Sequence, residues 1–357
     1  MSDYRKTELY DSHQNLKAKL VPFSGFWMPL QYSSIIKEHH HVRSNCGVFD
    51  VSHMGEFIVS GNNAKTFLQN VTTNDINNLE AGKVQYSAFC NESGGVIDDL
   101  LVYHLGDYYM LVVNASNIEK NFEWLSSKLI DDVSLEDQSD TISLLALQGP
   151  LSRVYLKKLY PKIEKLKYYE TLLPDNDKVV VARTGYSGEL GFEIYAPNSI
   201  ILKLWNEILS LSDDVLPVGL GCRDSLRLEM GYCLYGNELN EQTTTIEAGL
   251  SWITKHETSF IGSNAMQNNL PSKKLIALIS EERAIPRSGY RLFCKDKKEV
   301  GVVTSGGMSP CLKKGIALAY VDYEMRLEKE FLIGIRDNFF IFEKTKLPFY
   351  KNGTYLK

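Results

Sequence analysis

Alternating apolar and polar residues, followed by a glycine turn and a second strand-like stretch, predict a β-hairpin. Residues 84–90 follow the two-residue period of a strand, and residues 96–105 predict a second strand. The turn at 91–95 ends in two glycines, which can supply the positive φ angles of a tight turn. Residues 108–113 predict a third strand.

Helical and strand periods are mixed through the first 270 residues. The sequence predicts helices at 34–44, 63–70, 118–128, 200–211 and 223–232, and further strands at 56–61, 141–148 and 179–182. Gly47 is predicted to end the first helix in a left-handed conformation. Residues 185–191 hold three glycines and predict a loop of unusual backbone geometry.

The pattern changes near residue 271, where short strands separated by turns begin. They are predicted at 275–279, 290–294, 300–304, 316–321, 332–335 and 339–342. Such spacing is typical of a small antiparallel barrel or sandwich. We therefore expect a domain boundary near residue 271.

Composition narrows the class of protein. A chain of 357 residues predicts two or three domains, and 44% hydrophobic with 23% charged residues is typical of a globular protein. The net charge is −5, and charges of both signs are interspersed along the chain, which argues against a nucleic-acid-binding protein. A local basic patch that binds an acidic partner is still compatible with this charge.

Hydrophobic runs, the N-terminal segment and the cysteine spacing predict the compartment of the protein and whether it binds zinc. No apolar run reaches the roughly 20 residues that span a bilayer, and the polar segment 1–20 resembles neither a signal nor a transit peptide. A cytoplasmic enzyme is expected. The six cysteines show no Cys-x-x-Cys pair, which predicts free thiols and no zinc site.

The adjacent acids Asp98 and Asp99 are the first candidates for chemistry. Neighbouring strand residues point to opposite faces, so one acid can bind groups near the turn while the other faces a cavity. A carboxylate beside apolar residues is partly desolvated and therefore more basic. The alternative is that both acids only stabilise the hairpin.

The glycine-rich segment 183–193 is the second candidate. Its backbone can approach a flat ligand closely, Tyr186 or Phe192 can stack on that ligand, and Glu193 can accept two N–H bonds from an aminopyrimidine edge. A plain loop is the alternative. The segment lacks the Gly-Lys-Ser/Thr chemistry of a phosphate cradle.

Arg223 is the third candidate for chemistry. Residues 219–224 carry only half of a dinucleotide fingerprint, because Arg223 and Asp224 stand where small residues should lead to a third glycine. We therefore reject a Rossmann site, and Arg223 can bind a ligand carbonyl or form an ion pair.

His39, His40 and His41 diverge by about 100° per residue on a helix and cannot share one metal ion. They are predicted to lie at the surface.

At these same positions the chain resembles the glycine cleavage T-protein family. The matching blocks are residues 21–26, 47–55, 91–100, 113–115, 147–150, 183–193, 219–227, 234–236, 247–250, 304–306 and 309–310. So many ordered blocks at the family's spacing are far more specific than any single glycine motif.

The resemblance implies an α+β fold with three domains in a cloverleaf around a central folate pocket. Residues 1–50 and 140–240 would form a discontinuous first folate-binding domain, and residues 51–139 and 241–270 a second one. Residues 271–357 would form a C-terminal antiparallel β-barrel domain.

The resemblance also implies an activity and its partners. The expected substrates are tetrahydrofolate and the aminomethyl group on the lipoyl arm of H-protein, giving methylenetetrahydrofolate, ammonia and dihydrolipoyl H-protein. The glycine decarboxylase and dihydrolipoamide dehydrogenase components would act in the same system. No metal, nucleic acid or membrane is implied.

The resemblance assigns roles to particular residues. Asp99 is similar to the catalytic carboxylate, and Glu193 to the pterin anchor. The remaining pocket positions implied are Arg223, Tyr86, Tyr103, Asn114, Tyr186, Met54 and Tyr355. The chain departs from the family's pattern at Ser187 and Leu190, which stand for Thr and Asp, and at 26–27, where the family favours Trp-Glu.

Two other readings compete with this one. A folate-dependent demethylase of the dimethylglycine or dimethylsulfoniopropionate type is similar in fold, but the fused oxidase domain of the dimethylglycine type is absent. A folate-binding protein of iron–sulfur cluster maturation carries Lys-Gly-Cys-x-x-Gly-Gln-Glu after its central helix. Residues 232–238 lack that motif.

Overall fold

The computed structural model describes residues 4–174 and 178–357, so residues 1–3 and 175–177 of the predicted first domain lie outside the described residues. The strands before residue 270 are β1 (Arg5–Lys6), β2 (Lys19–Phe23), β3 (Phe26–Gln31), β4 (Cys46–Asp50), β5 (Gly55–Ser60), β6 (Val84–Cys90), β7 (Val96–His104), β8 (Tyr108–Val113), β9 (Ser134–Asp137), β10 (Ile142–Gln148), β11 (Thr171–Leu172), β12 (Val180–Ala182), β13 (Gly191–Pro197) and β14 (Val215–Pro217).

The later strands are β15 (Lys273–Ser280), β16 (Arg291–Phe293), β17 (Glu299–Met308), β18 (Gly315–Asp322), β19 (Glu330–Ile335) and β20 (Asn338–Thr345). The α-helices are α1 (Tyr10–Asn15), α2 (Ile35–Ser44), α3 (Ala64–Val71), α4 (Ile118–Ser126), α5 (Ser152–Leu156), α6 (Asn198–Leu209), α7 (Leu220–Met230) and α8 (Ser263–Asn268). None of the helices in the described ranges is long and apolar enough to cross a membrane.

The predicted hairpin forms the edge of a five-stranded antiparallel sheet with the order β6-β7-β8-β5-β9. Its turn and both strands are confirmed. One face of the sheet buries Phe57, Phe89 and Leu111 against Phe67 of α3. The pairing of β7 with β6 sets Asp98 opposite Phe89 and Asp99 opposite Ala88, so both acids lie within the strand and not in the turn.

A six-stranded sheet with the order β11-β12-β13-β10-β4-β14 stands beside the first. The predicted loop 183–193 is shorter than expected, because Gly191 to Glu193 already pair with β10. Gly47 is not left-handed but lies within β4, where a Cβ atom would come within 2.7 Å of Val42 Cγ2 and 2.8 Å of Val218 Cγ2. Close packing of α2 on the sheet therefore explains this glycine.

The C-terminal strands close into a barrel with the order β15-β18-β17-β16-β19-β20, all neighbours being antiparallel. Phe331, Phe342, Leu278 and Ile333 fill its interior. The α+β class and the C-terminal antiparallel barrel are thus confirmed. The assignment of residues to three domains stays a prediction, with which the membership of the sheets is consistent.

A buried ion network joins α2, α7 and the loop after β17. Glu229 accepts hydrogen bonds from Arg43 (Nη2, 2.9 Å) and from the imidazole Nε2 of His39 (3.0 Å), and Cys311 Sγ lies 3.4 Å from the same nitrogen. His39 is fully buried, so its predicted surface position is wrong. Because Glu229 of α7 binds groups of α2 and of the loop after β17, the cluster joins these three elements.

Candidate active site

A cavity of roughly 1550 Å³ opens where the two large sheets, α7 and the barrel meet. Its walls include residues of β7, the 184–186 segment, the start of α7 and strand β15. The β2–β3 hairpin covers one side, and its turn places Ser24 and Gly25 at φ angles of 45° and 84°. Residues far apart in the sequence therefore share one site.

Asp99 lines this cavity. Its carboxylate accepts hydrogen bonds from the Tyr86 hydroxyl (2.9 Å) and from Asn114 Nδ2 (2.9 Å). Burial raises the pKa of Asp99, and the two donors oppose that rise. The side chain is therefore a fixed and more basic carboxylate than one in water.

Asp98 is fully buried and has a different environment. It accepts from the backbone N–H of Asn114 (3.1 Å) and from the side-chain amides of Asn114 (2.8 Å), Asn117 (2.7 Å) and Asn121 (2.6 Å). Burial and then the charge of Asp99 raise its pKa to about 7. Asp98 therefore ties β7 to the 114–121 segment, whereas Asp99 faces the cavity.

Glu193 reaches the cavity from β13. Its Oε2 accepts from the Thr184 hydroxyl (2.6 Å) and lies 3.5 Å from the Tyr103 hydroxyl, while no donor to Oε1 occurs among the described residues. Oε1 is thus available to a ligand. Tyr103 itself is fully buried behind Glu193, bonded to Tyr195 (2.7 Å), so it does not line the cavity as the resemblance implied.

Arg223 projects into the cavity from the first turn of α7. Its guanidinium carbon lies 4.7 Å from the centre of the Tyr186 ring, and within the described ranges it forms no salt bridge. Burial lowers the pKa of Arg223, while the charge of Glu193 raises it. Tyr186 donates its hydroxyl proton to the carbonyl oxygen of Cys233, which holds its ring in place.

Met54 and Tyr355 complete the set of expected residues, and both line the cavity. The Tyr355 ring packs against Tyr168 at a centroid distance of 5.6 Å, and its carbonyl accepts from Arg183 (3.0 Å). The C-terminal segment therefore forms part of the wall.

Several wall residues were not predicted from the sequence: His53, Tyr168, Tyr169, Tyr195 and Trp252. His53 lies in the 47–55 block that carried the resemblance, so a signal for it existed. Tyr168 and Tyr169 lie in a stretch without motif or period, and only the folded chain brings them to the cavity.

Together these groups suit a flat, partly polar ligand and a reaction that develops positive charge. Glu193 Oε1 can accept from an amidine-like N–H edge, and the guanidinium of Arg223 can donate to an adjacent carbonyl. Asp99 places a negative charge in a site of low dielectric constant, where it stabilises a neighbouring cationic centre more strongly than water would.

Comparison with known proteins identifies two family models that match most of the chain. The GCVT N-terminal domain family matches residues 9–258, and the glycine cleavage T-protein C-terminal barrel domain family matches residues 273–351. The aminomethyltransferase of Halothermothrix orenii is 44% identical over 97% of this chain and 99% of its own. That of Chloroherpeton thalassium is 46% identical, covering 96% of this chain and 98% of its own.

A solved structure extends the likeness to the whole fold. The glycine cleavage system aminomethyltransferase T from Bartonella henselae is 34% identical and superposes with a TM-score of 0.94, covering 99% of this chain and 100% of that one. Members of this family use tetrahydrofolate as a substrate. The chain therefore belongs to the glycine cleavage T-protein family of aminomethyltransferases.

Proposed function

We propose that the chain transfers the methylene group of the aminomethyl-lipoyl arm of H-protein to tetrahydrofolate, with release of ammonia, and that Asp99 is its catalytic carboxylate. The observation that carries the proposal is the placement of Asp99. It lines the central cavity while Tyr86 and Asn114 hold its two oxygens in a fixed orientation.

Glu193 and Arg223 orient the pterin in this proposal. The open Oε1 of Glu193 accepts from the amino and ring N–H groups, and Arg223 donates to the neighbouring carbonyl oxygen. The ring of Tyr186, held by its bond to Cys233, packs against the face of the ligand. Holding both reactants in line supplies much of the rate enhancement.

In this proposal Asp99 stabilises the positive charge that develops on the transferred carbon. The carbon that accepts the folate nitrogen becomes positively charged as its bond to nitrogen or sulfur breaks. A carboxylate already fixed by two hydrogen bonds stabilises this charge without reorganising. Its raised pKa also suits it to accept and return the folate proton.

The rim of the cavity supports docking of an acidic carrier. Four cationic side chains of the C-terminal region line the cavity, of which two are exposed, and in the described part of the chain none of them forms a salt bridge; they are Lys274, Arg326, Lys344 and Lys346. Such a surface attracts a negatively charged protein although the chain itself carries a net charge of −5.

The test is a matched pair of isosteric variants. Asp99→Asn keeps size but removes the charge, so we expect kcat to fall roughly 10²–10⁴-fold with little change in tetrahydrofolate affinity. Asp98→Asn breaks the four-donor cluster, so we expect it to lower the melting temperature more than kcat. Turnover is followed as ammonia and methylenetetrahydrofolate from aminomethylated H-protein.

The opposite pattern would remove Asp99 from the mechanism. If Asp99→Asn unfolds the protein while its folded fraction keeps full specific activity, the carboxylate is structural. Circular dichroism of both variants separates these outcomes.

A further inference from the structure

His53 is a buried polar residue of the cavity wall that no step above uses. It follows β4 in the turn before β5, is 4% exposed, and contacts the edge of the Phe23 ring at a centroid distance of 5.4 Å. Its Nδ1 is enclosed without a partner, and no hydrogen bond to Nε2 occurs among the described residues. An imidazole that is buried and unbonded beside a cavity is unusual, because burial without partners costs about 1–3 kcal/mol.

The charged neighbours of His53 determine its protonation. Burial lowers the pKa of His53 to about 4; Asp50 raises it, and Arg223 lowers it further. Asp50 is already bonded to His13 (2.9 Å), Thr7 (2.8 Å) and the Ser52 N–H (2.9 Å). His53 is therefore neutral near pH 7, with one ring nitrogen as a donor and the other as an acceptor.

The polar groups around the cavity suit the edge of a reduced pterin. Glu193, Arg223 and His53 all line the cavity, and Arg223 is near enough to interact electrostatically with each of the other two. Along the pterin edge the amino and N3 donors come first, the carbonyl oxygen follows, and the N5–H donor is next. If Glu193 binds the first group and Arg223 the second, His53 meets the third.

We propose that His53 is a further substrate-binding residue, whose Nε2, the ring nitrogen that is not enclosed, accepts a hydrogen bond from N5–H of the bound reduced folate. This inference rests on the proposed placement of the pterin on Glu193. The bond fixes the N–H direction, and therefore aims the remaining lone pair of N5 towards the aminomethyl carbon beside Asp99. Only a neutral imidazole can serve, since a protonated ring has no acceptor.

The test compares two ligands that differ at one atom. Tetrahydrofolate carries N5–H, whereas 5-deazatetrahydrofolate carries a CH₂ group there and cannot donate. We expect His53→Phe to weaken tetrahydrofolate binding roughly 5–20-fold in calorimetry and to change 5-deazatetrahydrofolate binding less than twofold. His53→Gln, whose amide oxygen can still accept, should retain most of the affinity.

Equal losses for both ligands would overturn the proposal, because they would mean that His53 only shapes the wall. His53→Leu repeats the comparison with a smaller side chain in case His53→Phe does not fold. Glu193→Gln is the matched control and should weaken both ligands alike. If Glu193→Gln leaves both affinities unchanged, the pterin placement is wrong, whatever the His53 variants show.

Discussion

Asn114 links the two carboxylates on which the site depends. Its single Nδ2 donates to Asp98 (2.8 Å), to Asp99 (2.9 Å) and to the Asp99 carbonyl oxygen (3.1 Å). The alternation of strand residues predicted that only one acid would face the cavity. It could not predict the shared amide, since that contact depends on how β8 pairs with β7 and where β8 ends.

Removing the shared amide should change the pH dependence of catalysis. Asn114→Ala takes one donor from Asp99, so the pKa of Asp99 rises further and its ionised form is lost at a higher pH. We expect the acid limb of the kcat profile to move to higher pH and kcat at pH 7 to fall roughly tenfold.

Asn117→Ala is the control for this change, because it removes a donor from Asp98 alone. It should lower stability without moving the acid limb. Identical pH profiles for Asn114→Ala and the unmodified protein would show that the amide does not tune Asp99.

At the scale of the element, period and spacing predicted most of the secondary structure but not how it is joined. The six barrel strands and the β6–β7 hairpin follow from short strand-like stretches and the turns between them. Strand β13 was not predicted because the glycine-rich segment before it resembles a loop, and β14 was not predicted because it has only three residues. The short strand β14 is held by its hydrogen bonds to β4, which the local sequence does not reveal.

The contact between α2 and α7 depends on Glu229. Burial alone would raise its pKa, but hydrogen bonds from His39 and Ser309 and the charge of Arg43 hold the pKa of Glu229 at about 2. We expect Glu229→Gln to lower the free energy of unfolding by about 3 kcal/mol at pH 7, measured by urea titration. The reason is that the buried guanidinium of Arg43 and the other donors no longer have a carboxylate to bind.

The pH dependence of this loss follows from the lowered pKa. Glu229 stabilises the fold fully above its ordinary value of 4.5, and the contribution disappears as the pH falls towards 2. The difference between the variant and the unmodified protein should therefore shrink below pH 4.5. Glu207→Gln, which affects only an exposed pair with Lys203, should change stability by less than about 0.5 kcal/mol. A constant difference down to pH 3 would contradict this assignment.

At the scale of the whole molecule, the C-terminal tail closes a site built by distant parts of the chain. Thr354 donates its backbone N–H to Glu189 (3.1 Å) and accepts from Leu190 N–H (2.9 Å), which sets Tyr355 against the cavity. The resemblance implied Tyr355, but no local pattern of the tail predicted this docking.

Deleting residues 353–357 should open the cavity without unfolding the barrel. Phe349 remains packed against Leu228 and Leu318, so we expect the melting temperature to change by only a few degrees. Tetrahydrofolate affinity should fall roughly tenfold, because a wall that excludes water is lost. Lys351→Ala, at an exposed position, is the control. An unchanged dissociation constant would exclude the tail from the binding site.

The place of β4 in its sheet has a consequence for synthesis of the protein. This strand is buried between β10 and β14, yet its first partner begins at residue 142 and its second at residue 215. At about 5–20 residues per second, a ribosome needs on the order of ten seconds to deliver both. Meanwhile the apolar residues Val48 and Phe49, which are buried in the folded protein, emerge with both strand edges open, so we expect the nascent chain to bind chaperones that recognise extended apolar segments.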